Sequence, residues 1–272
     1  VRLRTLLLIL AALVALPAAR LTGLIPAAAA PRKVAVAPPG AAARPPARPL
    51  PSTIPSTVPA VTTPTTRPPT VEYVPTVVWT VARVRSTGVD VYGDPTSPEA
   101  ALHVTGQTEF GTPRVLPVIG QQDGWFEVRL PVRPNNAVGW VRTADVDQGA
   151  VADRIYVSLA NRNLQWVHGQ TPVLQTTVGL GSLGNPTPPG EYYVTDIIPS
   201  SGAYGPWIVA LNGHSETLTD FEGGDARLAV HGTNDPSSIG ATTSHGCVHV
   251  PNDIDSRLAS VIQPGTLVEV GY

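Results

Sequence analysis

Fourteen of the chain's thirty prolines fall between Pro26 and Pro75. Proline fixes φ and removes a backbone donor, so a stretch this dense cannot propagate a helix or a central strand. That divides the 272 residues into an extended N-terminal tail and a body able to fold. Pro45-Pro46, Pro68-Pro69 and the Ser/Thr/Pro mixture between Pro51 and Thr70 favour polyproline-like chain. Such a linker can reach on the order of 100 Å at roughly 3 Å per residue.

Charge follows the same division. Residues 1–71 hold eight basic residues and no acidic one (+8), and the remainder holds ten arginines against twenty acidic residues (−10). An acidic body argues against nucleic acid as a partner, because phosphate recognition needs a cationic face. The N-terminus reads as an export signal. Arg2 and Arg4 precede an apolar run from Leu6 to Leu16, and small residues follow at Ala18-Ala19 and Ala27–Ala30. The run is about half the ~20 residues that span a bilayer, so a cleaved signal is preferred. Read through Arg20 and Thr22 it lengthens, and an uncleaved anchor touching the membrane stays open. The expected location is outside the cytoplasm, in a cell wall or periplasm-like space. One cysteine in an exported chain cannot form an internal disulfide, and a free thiol there is an oxidation hazard.

Two β-rich units follow the linker. In the first, short apolar runs at Val89–Tyr92, Val115–Ile119, Trp125–Leu130 and Val138–Val141 alternate with turns such as Asp123-Gly124 and Pro134-Asn135-Asn136. Gly124-Trp125-Phe126-Glu127-Val128 followed by Gly139-Trp140-Val141-Arg142 resembles the closing strands of a bacterial SH3-like domain. That resemblance implies binding or positioning of wall peptide, while core filling is the preferred role for the two tryptophans. The second unit reads as a meander of strands. Its one helix is expected over Pro251–Ile262, capped by Asn252 or Asp253, with Ile254, Leu258, Val261 and Ile262 as its apolar stripe.

Three of the six histidines and the only cysteine lie between His231 and His249. Val230-His231-Gly232-Thr233-Asn234 ends an apolar strand, and Thr243-Ser244-His245-Gly246-Cys247-Val248-His249 follows after a loop. A cysteine acyltransferase needs a thiol nucleophile, an imidazole base and donors for the developing oxyanion. Cys247, His231 and the backbone around Gly246 supply those three. A second reading stays open. His245, Cys247 and His249 alternate, so on a continuous strand they would share one face and, with His231, form a zinc-compatible set. The acyltransferase reading needs no metal and no cofactor. There is no dinucleotide-binding glycine pattern or phosphate loop, and His214 reads as a surface or loop residue.

His-Gly-Thr-Asn, a dozen residues, then Ser-His-Gly-Cys-Val resembles the signature of L,D-transpeptidases with the YkuD-type catalytic domain. Thr187-Pro188-Pro189-Gly190-Glu191-Tyr192 is similar to a further segment of that family, with Pro189 where threonine is usual. The resemblance implies Cys247 as acylated nucleophile, His231 as base, the Gly232 carbonyl as its orienting acceptor, and backbone at His245, Gly246 and Cys247 as oxyanion hole. Ser244, Thr233, His249 and Tyr204 are placed along the substrate cleft, and Tyr204 and Trp207 as caps of the acyl pocket. His249 stands where the family commonly has Arg or Asn. Peptidoglycan stem peptides are the implied acyl donor and amine acceptor, with carbapenem-type β-lactams as covalent inhibitors. Water or a protein amine as acceptor, or a non-catalytic wall-binding role, remain alternatives. The expected fold is mainly β. It runs from a signal peptide or anchor (1–30) through a Pro/Thr/Ala-rich linker (31–78) to a small SH3-like barrel (79–148). A β-rich YkuD-type catalytic domain with one or two short helices (151–272) completes it.

Overall fold

The computed structural model describes residues 77–272; the export signal and nearly all of the linker lie outside them. The described chain is mainly β. Strands β1 (Trp79–Val84), β2 (Val89–Val91), β3 (Leu102–Val104), β4 (Val115–Gln122), β5 (Trp125–Arg129), β6 (Val138–Arg142) and β7 (Val146–Val151) come first. Five of them form an antiparallel sheet in the order β6-β5-β4-β1-β7, and β2 pairs with β3 beside it. Strand β7 has only three apolar side chains and was not legible as a strand. It forms because β1 offers it a full antiparallel edge, Trp79 opposite Val151 through Val84 opposite Val146.

The core of this first sheet includes Leu116, Phe126, Val128 and Val141. Trp125 and Trp140 do not fill it, contrary to expectation. Side chains alternate faces along a strand, so burying Phe126 and Val128 turns Trp125 outward. There it meets Tyr92 edge-on at 5.1 Å and lies under the Arg142 guanidinium at 4.8 Å.

The second sheet is built from β8 (Asp153–Ser158), β9 (Asn163–His168), β10 (Thr171–Thr177), β11 (Leu180–Gly181), β12 (Gly190–Pro199), β13 (Trp207–His214), β14 (Arg227–His231), β15 (Thr242–Ser244), β16 (Val248–His249) and β17 (Leu267–Gly271). Its eight-stranded order is β10-β9-β8-β17-β12-β13-β14-β16, with β11 and β15 paired separately. Helix α1 (Asn252–Val261) follows β16 and buries Leu258 against the core with Val230, Val248 and Val250. Its start differs from expectation. Pro251 is the cap residue and no side chain caps the helix, because Asn252 accepts instead from the Thr233 N–H at 2.8 Å. No helix among the described residues is long and apolar enough to cross a membrane.

The two sheets share interior. Tyr193, from β12 of the second sheet, is fully buried in the hydrophobic cluster of the first. Asn212 ties the same junction, accepting from the Tyr193 N–H at 2.8 Å and donating to the Leu130 carbonyl at 3.2 Å. Thr108 donates to buried Asp196 at 2.5 Å. Among the described residues, the cationic partner in every side-chain ion pair is arginine or histidine, as in Arg85–Asp147 and Arg154–Glu269, and no lysine occurs after Lys33.

Candidate active site

Strands β14 and β16 run parallel, with Val230 opposite Val248 and His231 opposite His249. That register carries Cys247 alongside Ala229, two positions before His231 on the neighbouring strand. His231, Cys247 and His249 therefore open into one cleft of about 380 Å³, together with Thr233, Ser244 and His245. The rings of His231 and His249 lie 4.7 Å apart.

His231 is buried, and its Nδ1 is 2.6 Å from the Gly232 carbonyl. A carbonyl only accepts, so Nδ1 carries the proton and Nε2 is left with a free lone pair. Burial pulls the His231 pKa down to about 4 despite that hydrogen bond. The Cys247 thiol is pushed up to about 11 by burial, with hydrogen bonding from the Ala229 backbone working against the rise. At neutral pH both groups are uncharged, so imidazole is available to take a proton and the thiol has one to give.

Gly232 has no room for a side chain. A Cβ there would run into Asn252 Oδ1 and lie 3.0 Å from both Asp255 Oδ2 and Gly205 Cα. Two residues of the first turn of α1, three apart, hold this peptide. Asn252 takes the Thr233 N–H, while Asp255 takes the Trp207 N–H at 2.9 Å and that of Gly232. Asp255 is fully buried, its Oδ1 has no partner, and burial raises its pKa to about 6 against those donors. Asn252 was read from sequence only as a helix cap, and Asp255 was not singled out. Nothing in the sequence separates Asp255 from Asp253, two residues earlier on the same helix.

Ser244 and Gly246 are tied to each other. The Ser244 hydroxyl donates to the Cys247 carbonyl at 2.6 Å and accepts the Gly246 N–H at 3.1 Å, so it braces the turn. His245 lies on the exposed side, its ring 4.9 Å from that of Phe221. The zinc reading presumed a continuous strand from His245 to His249, but the chain breaks from strand geometry at 245–247. Among the described residues no group of three or more His, Cys, Asp or Glu is placed to hold a metal ion.

The Ser238 hydroxyl donates to the Asp235 carbonyl at 2.7 Å, so at 3.0 Å it accepts from His249 Nδ1. Burial lowers the His249 pKa, with the charge of Asp235 opposing. Thr233 is buried and braces the turn through the Asp235 N–H at 3.0 Å. Tyr204 meets His231 edge-on at 5.1 Å and donates its hydroxyl to Glu222. Burial, then that carboxylate, raise the Tyr204 pKa. Trp207 does not line the cleft. His214 is buried rather than a surface residue, because Nε2 pairs with Asp225 at 2.8 Å. Phe221 and Glu222, both unforeseen, form a further wall.

Residues 152–270 match the L,D-transpeptidase catalytic domain. The matched segment contains His231, Cys247 and all of the second sheet except its last residue, Gly271. The YkuD protein of Bacillus licheniformis, whose name marks it as an inferred L,D-transpeptidase, is 30% identical over 118 residues. The match covers 43% of this chain and 64% of that protein, so the chain spans less than two thirds of the relative's length. Its Bacillus subtilis counterpart, named in the same way, is 26% identical over 125 residues, 46% of this chain and 69% of that one. Among solved structures, the catalytic domain of an E. faecium L,D-transpeptidase is 22% identical with a TM-score of 0.33. It aligns with 43% of this chain and 95% of its own. An L,D-transpeptidase from Mycobacterium smegmatis is 14% identical with a TM-score of 0.40, covering 72% of this chain and 99% of that one.

Proposed function

We propose that the protein is an exported L,D-transpeptidase that forms an acyl-enzyme on Cys247 and passes the stem peptide to an amine, making 3→3 cross-links in peptidoglycan. The observation that carries the reading is the His231–Gly232 contact. It fixes the tautomer with Nδ1 protonated, and because burial keeps the imidazole neutral, Nε2 is left unprotonated in the cleft that holds the free thiol.

Cys247 Sγ attacks the carbonyl at the L-centre of a stem-peptide diamino acid as its proton passes to His231 Nε2. Backbone N–H groups at His245 and Cys247 are assigned to the developing oxyanion, while that of Gly246 is taken by Ser244. Collapse breaks the peptide bond, and D-alanine leaves with the proton from His231. An acceptor amine then attacks the thioester, loses a proton to His231 and regenerates the thiol. Water in its place would give a carboxypeptidase outcome. A neutral His249 whose Nδ1–H is given to Ser238 offers a substrate carboxylate neither charge nor a donor, so recognition of that group falls to other donors. The first sheet is assigned as an SH3-like unit that presents the catalytic unit to the wall.

Intact-mass measurement after incubation with a carbapenem tests the reading. A single covalent adduct is expected on the wild-type chain and none on Cys247→Ala. A reduced, unmodified Cys247 after prolonged incubation would overturn it. Defined tetrapeptide stems then separate cross-linking from trimming.

A further inference from the structure

The segment from Ser215 to Ala226, between β13 and β14, is anchored from outside the matched catalytic segment. Arg133, in the β5–β6 connection of the first sheet, donates to three of its backbone carbonyls. The distances are 2.8 Å to Ser215, 3.1 Å to Leu218 and 2.8 Å to Asp225. Asn135 forms a reciprocal pair with the His214 backbone, donating to its carbonyl and accepting its N–H, each at 2.8 Å. Past these anchors the segment turns sharply. Phe221 and Gly224 exchange backbone hydrogen bonds of 3.0 Å around Glu222 and Gly223, whose φ values of 52° and 81° make a two-residue hairpin turn. That turn places Phe221 against His245 and Glu222 on the Tyr204 hydroxyl.

We infer that Arg133 and Asn135 are positioning residues for the cleft: the first sheet holds the 215–226 segment so that Phe221 and Glu222 form the wall facing Cys247. A guanidinium suits this, since its planar fork reaches several carbonyls at once where an ammonium is a single point. Tyr204 and Glu222 complete that wall beside His231 through their hydrogen bond. Between its buried ends at Ser215 and Ala226 the segment is largely exposed, and exposed segments open locally unless pinned. The inference rests on the cleft being the acyl-transfer site.

Hydrogen exchange and carbapenem acylation of the full chain test it together. In Arg133→Ala, amide exchange across 215–226 should rise about tenfold or more while β8 and β9 stay protected. The carbapenem concentration for half-maximal acylation should rise by a similar factor. The limiting acylation rate and iodoacetamide alkylation of Cys247 should change less than about twofold, because the Cys–His pair is untouched. Arg133→Lys should restore part of the exchange protection. Unchanged exchange in a folded variant would overturn the inference, as would faster exchange with unaltered half-saturation. If Arg133→Ala loses protection throughout the chain, Asn135→Ala is judged by the same criteria. A wild-type chain that takes no adduct would count against acyl transfer, and the exchange result would still decide whether the first sheet pins the segment.

Discussion

His231 and Cys247 share one cleft as two neutral groups, and this has consequences in pH. A pair of this kind is competent wherever the imidazole is unprotonated and the thiol protonated, between about 4 and about 11. Carbapenem acylation is therefore expected to hold a broad plateau, with its acid limb near 4. An acid limb at 6.5 would mean the imidazole is not buried as described. Stability responds to the same shift. Below pH 6.5 the unfolded chain protonates the His231 imidazole, whereas the folded chain resists until about 4. That costs about 3 kcal/mol of stability as pH falls across this window. Asp255 works the other way. Its folded pKa is raised to about 6, so the fold takes up a proton first and gains about 3 kcal/mol as pH falls from there toward 3.8. Asp255→Asn removes the offsetting gain, and urea melts at pH 7, 5 and 4 should show that variant losing stability more steeply than wild type. Cys247 and His231 could be picked out of the chain because the proposed acyl transfer calls for those residue types. Asp255 could not, since it acts through two backbone N–H groups and any carboxylate on that helix looks alike in sequence.

At the level of the element, the helix following the cysteine motif does more than cover the core. Its first turn takes the peptide after His231 in two side-chain oxygens, and Gly232 fits only because it lacks a Cβ. Gly232→Ala should push Asn252 and Asp255 apart, costing about 1–3 kcal/mol of overpacking and turning the Gly232 carbonyl off His231. The expected result is acylation slowed by more than about tenfold, with a thermal melt that shows the chain still folded. A variant acylated at the wild-type rate would show that this carbonyl does not set the imidazole. The helix itself was legible, because its apolar residues recur at helical spacing and Pro264 follows its end. Its cap was misjudged: an Asn before an apolar stripe reads as a local cap, and only the fold brings Thr233 close enough to compete for it. Strand β7 and the Phe221–Gly224 turn were missed for a related reason, since partners distant in sequence select them.

For the molecule as a whole, the shared interior makes the two sheets one cooperative body. Tyr193 fills the core of the first sheet from a strand of the second, so Tyr193→Ala should cost about 3–5 kcal/mol. Calorimetry should show one transition in wild type and in the variant; two separate transitions would mean that the sheets fold independently. This coupling was beyond reach of the sequence, where Tyr192 and Tyr193 sit side by side and nothing marks which points into which core.

The use of arginine alone for fixed positive charge in the folded body has a chemical consequence of its own. On the acyl-transfer reading, the thioester awaits a primary amine, and a guanidinium at neutral pH is no substitute. The body that carries the thioester presents no lysine ε-amine after residue 33. Its surface cannot intercept its own intermediate, and copies of it crowded along a wall cannot become welded to one another through their folded parts.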